Sequence, residues 1–513
     1  MRIGILELLI ADGDRSPLTR LYGRFISRHY ASIMPQAVSY WCRSLGHEAF
    51  YATYWGQADP LSLLPDDLQV VFISSYTSAS SLANALAKLY RRRGVLTVSG
   101  GPHARSFPQD SARFFDIVIR ECDRTLIDEL LRDLPRRQIL SSGRLLRALP
   151  TVAERLPEIE TAHFLNGRAG GTSFVPLLAS LGCPYSCDFC TDWDNPYRLT
   201  PLDQLEEDLR FISTHFPRAK IPFHDPNFAV KFDQVLDVLE RLPAKDRNAY
   251  IIQSSLSVLR EDRLRRLRDT NCVYIAPGVE SWTEYSNKAG VSRSHSGREK
   301  LDEVIGQFER IGRYVRGIQA NFLFGVDCDR GDEPVELSKV FMDRLPGVWP
   351  NFNVPTPFGG TPLYDEYMGA GRILARMPFC FYYTPYLVTT LAHYAPEQFY
   401  DHLIALFSHL VSARSLGART RASSGIHHVF NALRALNVWR TLHEFHAIRD
   451  RLRGDREFRD FHDGVSDRLP EFYRSRSRGL LGRYAELLSP DDLTPQLEPL
   501  HLAGRIVRSA VVH

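Results

Sequence analysis

The chain has 513 residues, too many for one ordinary domain and enough for two or three that each bury a core. Its 44% apolar and 24% charged residues exclude a disordered or fibrous chain, and a net charge of +3 gives no global reason to expect nucleic acid. Eight cysteines in this length are too few and too unevenly spread for a secreted disulfide framework. The start, MRIGILELLIADGD, lacks the cleavage site of a secretory signal, and no apolar stretch approaches the roughly 20 residues that span a bilayer. These features predict a soluble, cytoplasmic protein without a transmembrane segment.

From Met1 to about Leu140 strand-like and helix-like runs alternate. Strands are expected over Arg2 to Ile10, Val70 to Ser74, Leu96 to Ser99 and Ile117 to Ile119, and helices over Pro35 to Gly46 and Ala79 to Arg93. The alternation predicts a Rossmann-like, doubly wound parallel sheet, whose ligands lie at the carboxyl ends of strands. Residues 141–172, rich in Pro and Gly, read as a linker. A second β/α series comes next, with strands expected over Ser173 to Ser180, Ile221 to His224, Tyr250 to Ser254, Val273 to Pro277, Gly317 to Phe324 and Asn351 to Pro355. Six such units over 173–376 predict a partial (β/α)6 barrel of the TIM type, with catalytic loops at the strand ends. Residues 377–513 read as helical only.

Three cysteines fall within eight positions, Cys183-x-x-x-Cys187-x-x-Cys190, in a loop after the first of these strands. Structural zinc sites use two pairs of ligands, so three close thiols without an obvious fourth fit zinc poorly. A cubane iron–sulfur cluster normally takes four thiolates, and with three one iron keeps an open position. The competing readings are a zinc knuckle completed by Cys272 or a histidine, and three unrelated buried thiols.

Gly182-Cys183-Pro184-Tyr185-Ser186-Cys187-Asp188-Phe189-Cys190 resembles the signature of the radical S-adenosylmethionine (SAM) superfamily. The resemblance implies a [4Fe-4S] cluster on the three cysteines and SAM chelated at the open iron. It also implies a 5′-deoxyadenosyl radical and an electron donor such as flavodoxin or ferredoxin. Members have a partial (β/α)6 barrel, and this chain has residues at the matching positions. Phe189 resembles the aromatic residue beside the adenine. His224-Asp225-Pro226-Asn227-Phe228 resembles the second-strand segment, Gln253 and Ser255 end the third strand, and Gly278-Val279-Glu280-Ser281 resembles the fourth-strand Gly-x-Glu-Ser. Phe324-Gly325-Val326-Asp327 and Thr356 to Thr361 resemble the fifth- and sixth-strand ends. The SAM-binding candidates are Phe189, Asp225, Gln253, Ser255, Glu280, Ser281 and Phe324, each of which could instead cap a turn.

One class of the superfamily carries a cobalamin (B12)-binding domain before the barrel, and residues 1–140 resemble it. The cobalamin-binding candidates are Ser75, Tyr76, Thr77, Ser78, Gly100, Gly101, His103 and Glu121, where short polar residues and glycines admit a close backbone approach. No Asp-x-His-x-x-Gly motif is present, so no histidine ligand to cobalt is expected. Members often read Gly-Glu-Gly-Glu where this chain has Arg120-Glu121-Cys122-Asp123. A scaffold domain without cofactor is the alternative.

Between Val411 and Gly454 eight arginines stand against two acids, with His427, His428, His443 and His446. Such a run reads as a solvated helical face or as a cap over the barrel that binds an anionic substrate. Cys42, Cys272, Cys328 and Cys380 are scattered, which disfavours a second cluster domain. The resemblance implies a cobalamin-dependent C-methyltransferase acting on a small-molecule or lipid-like metabolite. The alternatives are a radical SAM cyclase, oxidase or rearrangement enzyme, and a non-catalytic cobalamin or metal sensor.

Overall fold

The computed structural model describes residues 1–11, 23–24, 27–134, 137–143, 146, 148–283, 297–423 and 425–498. The first sheet comprises β1 (Arg2–Leu8), β2 (Glu48–Tyr54), β3 (Val70–Ser75), β4 (Leu96–Gly100), β5 (Ile117–Glu121) and β6 (Gln138–Ser141). All pairings are parallel and the order is β2-β1-β3-β4-β5-β6. The order reverses between β1 and β3, so the crevice expected to take a ligand opens at the carboxyl ends of these strands.

Helices cover both faces of this sheet, as its nearly continuous apolar strands require. One face is packed by Ile33–Ser44 and Arg124–Asp133, through Ala37, Trp41, Ile127 and Leu130. The other is packed by Ser80–Arg92 and by residues from the far end of the chain, Leu481, Tyr484 and Leu488. Lys88 pairs with Asp492 at 2.6 Å, and Arg113 donates to the carbonyls of Asp491 and Thr494. The C-terminal stretch therefore closes the N-terminal core.

The second sheet contains β9 (Ile221–Pro222), β10 (Tyr250–Ile252), β11 (Cys272–Ile275), β12 (Gly278–Glu280), β13 (Gly317–Leu323) and β14 (Val348–Asn353). Its pairings are parallel, and β14 lies beside β13. Phe174 and Leu177 bridge to Lys220 and Phe223, which makes their segment the first strand of an open six-stranded barrel. The N–H groups of Val175 and Leu177 bond across to the second strand. Pro176, between them, lacks an N–H on the side that faces the open edge, the position at which a strand tolerates proline. The single fourth strand expected over Val273 to Pro277 is instead two short pieces, β11 and β12, because Pro277 interrupts the ladder.

Residues 141–172 are not all irregular: they include the helix Leu156–His163. Arg155 beside it is fully buried and donates to Gln36 Oε1 at 2.7 Å, Arg43 pairs with Glu158 at 2.9 Å, and Asp208 accepts the Val152 N–H at 2.6 Å. These bonds tie the first sheet's helix to the barrel. Downstream of the barrel, the helix Pro396–Leu410 brings Phe399, Tyr400 and Phe407 into the apolar cluster that holds the outward side chains of β13 and β14.

Glu7, near the end of β1, is buried and accepts from the Ser32 N–H at 2.7 Å and the Tyr51 hydroxyl at 3.0 Å. Burial pushes its carboxyl up to about 7, the hydrogen bonds opposing the shift. The folded chain thus keeps this proton to about pH 7, whereas the unfolded chain releases it near 4.5. Folding stability falls as pH rises between these values. Glu7→Gln is expected to unfold at the same urea concentration as the parent at pH 4 but to be more stable by on the order of 2 kcal/mol at pH 8. Equal differences at the two pH values, read by circular dichroism, would contradict this.

Candidate active site

Strand β13 has the burial pattern of a wall between two environments. Ile318, Ala320 and Phe322 are buried against the helices, while Gln319, Asn321 and Leu323 are half-exposed and face the barrel interior. The pattern continues in β14, where Asn351 and Asn353 are half-exposed beside buried Phe352. Most TIM-type barrels fill their interior with branched apolar side chains. A dry interior would charge each unpaired amide about 1–3 kcal/mol; here the amides are half-exposed and bond one another. Gln319 donates to Asn321 Oδ1 at 2.8 Å, and Tyr274 donates to Gln319 Oε1 at 2.9 Å. The barrel is a wet, polar chamber.

The cysteine loop lies at its mouth. β7 (Ser180–Leu181) and β8 (Arg198–Leu199) pair antiparallel and clamp both ends of residues 182–197. Gly182 has φ +69°, and a Cβ there would lie 2.4 Å from the carbonyl oxygens of Asn195 and Pro196, so only glycine fits before Cys183. The Cys183 N–H bonds Asn195 O, and the Cys190 N–H bonds Cys187 O. Cys183 is buried, Cys187 and Cys190 are half-buried, and none of the three is in a disulfide.

Four further contacts fasten this loop to the strand ends and to the first sheet. The Tyr185 hydroxyl lies 2.7 Å from Ser257 Oγ, Trp193 donates to Gly360 O at 2.6 Å, the Leu363 N–H donates to Asp188 O, and Arg105 pairs with Asp192 at 3.3 Å. A Cβ on Gly359 would lie 2.0 Å from Ser106 O, which shows how closely the sixth-strand loop abuts the helix Gly101–Ser106.

The remaining candidates divide into those that face the chamber and those that hold it in shape. His224 and Gln253 end the second and third strands with water access. Desolvation by the surrounding strand ends, with Arg155 nearby, lowers the imidazole of the water-accessible His224 to about 4. Phe189 packs half-buried against the barrel core. Glu280 is buried with φ +67°, a left-handed conformation that a carboxylate residue adopts only under constraint, and its carboxylate lies where a Cβ on Gly278 would be.

Asp225 and Ser281 act as braces. Asp225 is buried and accepts from the Ala179 N–H at 3.0 Å and from the Ser180 hydroxyl, which fixes the strand end just before the cysteines; burial raises its carboxyl to about 7. Ser281 donates to Asp329, which also accepts the Gly325 N–H at 2.9 Å. Ser255 takes part in a relay of polar contacts: its N–H donates to Asn227 Oδ1, and its hydroxyl meets Ser257, which meets Tyr185. Phe324 is not with the others. It stacks on Phe399 at 5.3 Å, on the helix side of the fifth strand. Sequence reasoning names Asn227 only as part of its segment and misses Ser257, Asp329 and the inward amides as functional positions, although the every-second-residue polarity of GIQANFL marks the amides.

At the first sheet, the carboxyl edge presents half-exposed Tyr76, Ser78 and Gly100, with Ser75 and Thr77 buried beneath. Gly101 has φ +86°, and a Cβ would meet Ser74 Oγ at 2.5 Å, whereas one on Gly100 would meet nothing within 4 Å. Tyr76 donates to the Tyr30 carbonyl. Glu121 is exposed and accepts from the Ser141 hydroxyl. His103 turns away from this edge. It is buried between Phe107 and Phe379, 3.5 Å from Asp110.

The residues suit the groups they would hold. Among the described residues no three His, Cys, Asp or Glu side chains converge tightly enough for one metal ion. Cys272 opens the fourth strand at the end away from the loop and does not complete a zinc knuckle there. The loop offers three thiols, while its carboxylates Asp192 and Asp194 pair with Arg105, and three thiols suit a cluster whose irons are spread over a shared sulfide core. His428 and His443 are exposed on the helix Ile426–Gly454, and the side chain of His427 lies outside the described residues. No helix among the described residues is long and apolar enough to cross a membrane.

No family profile matches the chain. It is 25% identical over 325 residues to bacteriochlorophyllide d C-8(2)-methyltransferase of Chlorobaculum tepidum, covering 60% of this chain and 70% of that one. It is 24% identical over 319 residues to the hopanoid C-2 methylase of Rhodopseudomonas palustris, covering 59% and 58%. The radical SAM methyltransferase TsrM from Kitasatospora setae, solved with tryptophan substrate and a SAM analogue, superposes with a TM-score of 0.49 and 12% identity, covering 74% of this chain and 77% of that one. The cysteine motif, the partial barrel and the sheet before it, with the two methyltransferase relatives, are features that the chain shares with radical SAM enzymes of the cobalamin-binding-domain class.

The Gly182 contact yields a test. Gly182→Ala is expected to reduce the iron bound after anaerobic reconstitution to less than half that of the parent, because the loop must shift before Cys183, while far-ultraviolet circular dichroism stays unchanged. Iron at the parental level would show that the loop is not constrained there.

Proposed function

We propose that the chain methylates an unactivated carbon of a small molecule held in the barrel chamber. The observation that carries this reading is a three-thiol loop clamped at the mouth of a hollow polar barrel and fastened to the sheet that precedes it. The relatives are methyltransferases by name, which supports methyl transfer over the alternatives.

In this reading Cys183, Cys187 and Cys190 hold a [4Fe-4S] cluster. Phe189, Gln253, Ser255 and Glu280 surround SAM, and His224 joins them as a chamber-facing neutral imidazole. Ser75 to Ser78, Gly100 and Gly101 line the edge that takes cobalamin. Bound together, these groups supply a 5′-deoxyadenosyl radical and a transferable methyl group. The protein's part is to position and to exclude. Asp225 and the Tyr185–Ser257–Ser255–Asn227 relay fix the cysteine loop against two strand ends. The Ser281–Asp329–Gly325 brace holds the fourth and fifth strand ends together, keeping Glu280 in its constrained conformation. Phe324, stacked outward, shapes the strand end without touching the chamber. A one-electron donor of the flavodoxin or ferredoxin kind is a partner of this reading, as is a small-molecule substrate.

Anaerobic reconstitution followed by product analysis tests it. About four irons per chain and stoichiometric corrin are expected, with S-adenosylhomocysteine and 5′-deoxyadenosine formed together. Cys187→Ala is expected to abolish 5′-deoxyadenosine. 5′-Deoxyadenosine without S-adenosylhomocysteine would replace methyl transfer with another radical reaction, and neither product would point to a sensor.

A further inference from the structure

The chamber has a charged floor. In β13 and β14, Gln319 lies opposite Trp349 in register, one layer below the Asn321–Asn351 pair, and Tyr274 of β11 completes the layer. Two arginines of the C-terminal helices meet it from below. Arg434, on Ile426–Gly454, donates from Nη2 to the Tyr274 hydroxyl at 2.6 Å and to Gln319 Oε1 at 3.4 Å, and its guanidinium lies 5.2 Å from the Trp349 ring centroid. Arg419, on Ala413–Ala422, lies 4.9 Å from the same ring and donates to Val348 O at 2.8 Å, while its buried Nε has no hydrogen-bond partner.

No carboxylate among the described residues pairs with either arginine. Two guanidiniums on one indole repel each other, and burial together with Arg434 lowers Arg419 to about 10. Buried charges are ordinarily paired, so this floor is short of one anion. Of the donors of Arg434 only Nη2 meets protein acceptors among the described residues, and the rest of this half-exposed group faces water. Docking of the helix through cation–π contacts would account for the rings but not for two unbalanced charges beside a polar chamber.

We propose that Arg434, with Tyr274 and Gln319, anchors an anionic group of the substrate at the closed end of the barrel. The proposal rests on the chamber being the place of reaction. Gln319 precedes Phe324 by five residues, so the anchor lies ~16 Å below the strand end at about 3.3 Å per residue. The substrate class is therefore an elongated organic anion, its carboxylate or phosphate on Arg434 and its reacting carbon near the mouth.

Equilibrium dialysis of labelled octanoate and octyl phosphate against the reconstituted full-length chain tests this, with 1-octanol as the neutral control. One of the anions is expected to bind saturably at a single site and octanol not to, and the anion that binds identifies the head group. Arg434→Gln is expected to weaken binding by ~10-fold or more, Arg434→Lys by less, and Arg440→Gln, exposed on the same helix, not at all. Should Arg434→Gln fail to fold, Tyr274→Phe decides: it keeps the ring, removes the hydroxyl, and is expected to weaken binding several-fold. Equal binding by parent and variants, binding of octanol as strong as that of the anions, or no binding of either anion would overturn the anchor. Dialysis requires no turnover, so a failure of methyl transfer leaves its result intact.

Discussion

Successive side chains of a strand point to opposite faces, so each barrel strand serves the helices with one set of residues and the chamber with the other. In β13 the outward set is Ile318, Ala320 and Phe322, and the inward set is Gln319, Asn321 and Leu323. Everything at the site depends on that division. The outward set supplies the apolar burial that holds the sheet to its helices, at about 25 cal/mol per Å² removed from water. The inward set can then remain polar and hydrated, which leaves a space for a ligand where a packed barrel has none.

A hollow barrel loses the packing that would fix its strand ends, and the structure replaces it with directed bonds. Asp225 holds the end of the first strand, Asn227 and Ser255 join the second and third, and Asp329 joins the fourth and fifth. Trp193 and the Leu363 N–H then tie the cysteine loop to the segment after the sixth strand. These bonds are buried or nearly so, where a lost partner leaves an unsatisfied group and is felt strongly. The loop that carries the three thiols is thus positioned by the whole ring of strand ends rather than by its own short clamp.

Much of this is legible in the sequence, and the reasons for the rest are specific. The β/α alternation, the cysteine spacing and the polar strand ends are local signals, so the two sheets and the loop can be read directly. Phe324 is expected at the SAM site because it ends a strand, yet counting by twos from Gln319 puts it on the helix side, against Phe399. Asp225 resembles a ligand-binding residue by position but is engaged by Ala179 and Ser180, a contact across 46 residues that no local pattern records. The return of Leu481, Tyr484 and Leu488 to the first sheet is longer still. His103 is expected at a ligand edge, and the helix that begins at Gly101 carries it into the aromatic core instead.

The Arg-rich C-terminal stretch illustrates how one composition serves two ends. Arg449 and Arg453 pair with Asp401, and Arg476 pairs with Glu444, so these charges are balanced locally and fasten helices to one another. Arg419 and Arg434 differ in finding an aromatic ring, a carbonyl and a phenol in place of a carboxylate. Two arginines set beside an open polar chamber without a carboxylate partner among the described residues keep a positive potential there. That potential is strongest at the floor, where the surrounding protein excludes solvent from one side and screening by salt is weakest. An anion entering from the mouth is then drawn past the strand ends toward the floor, which orients an elongated molecule before any contact at its far end is made.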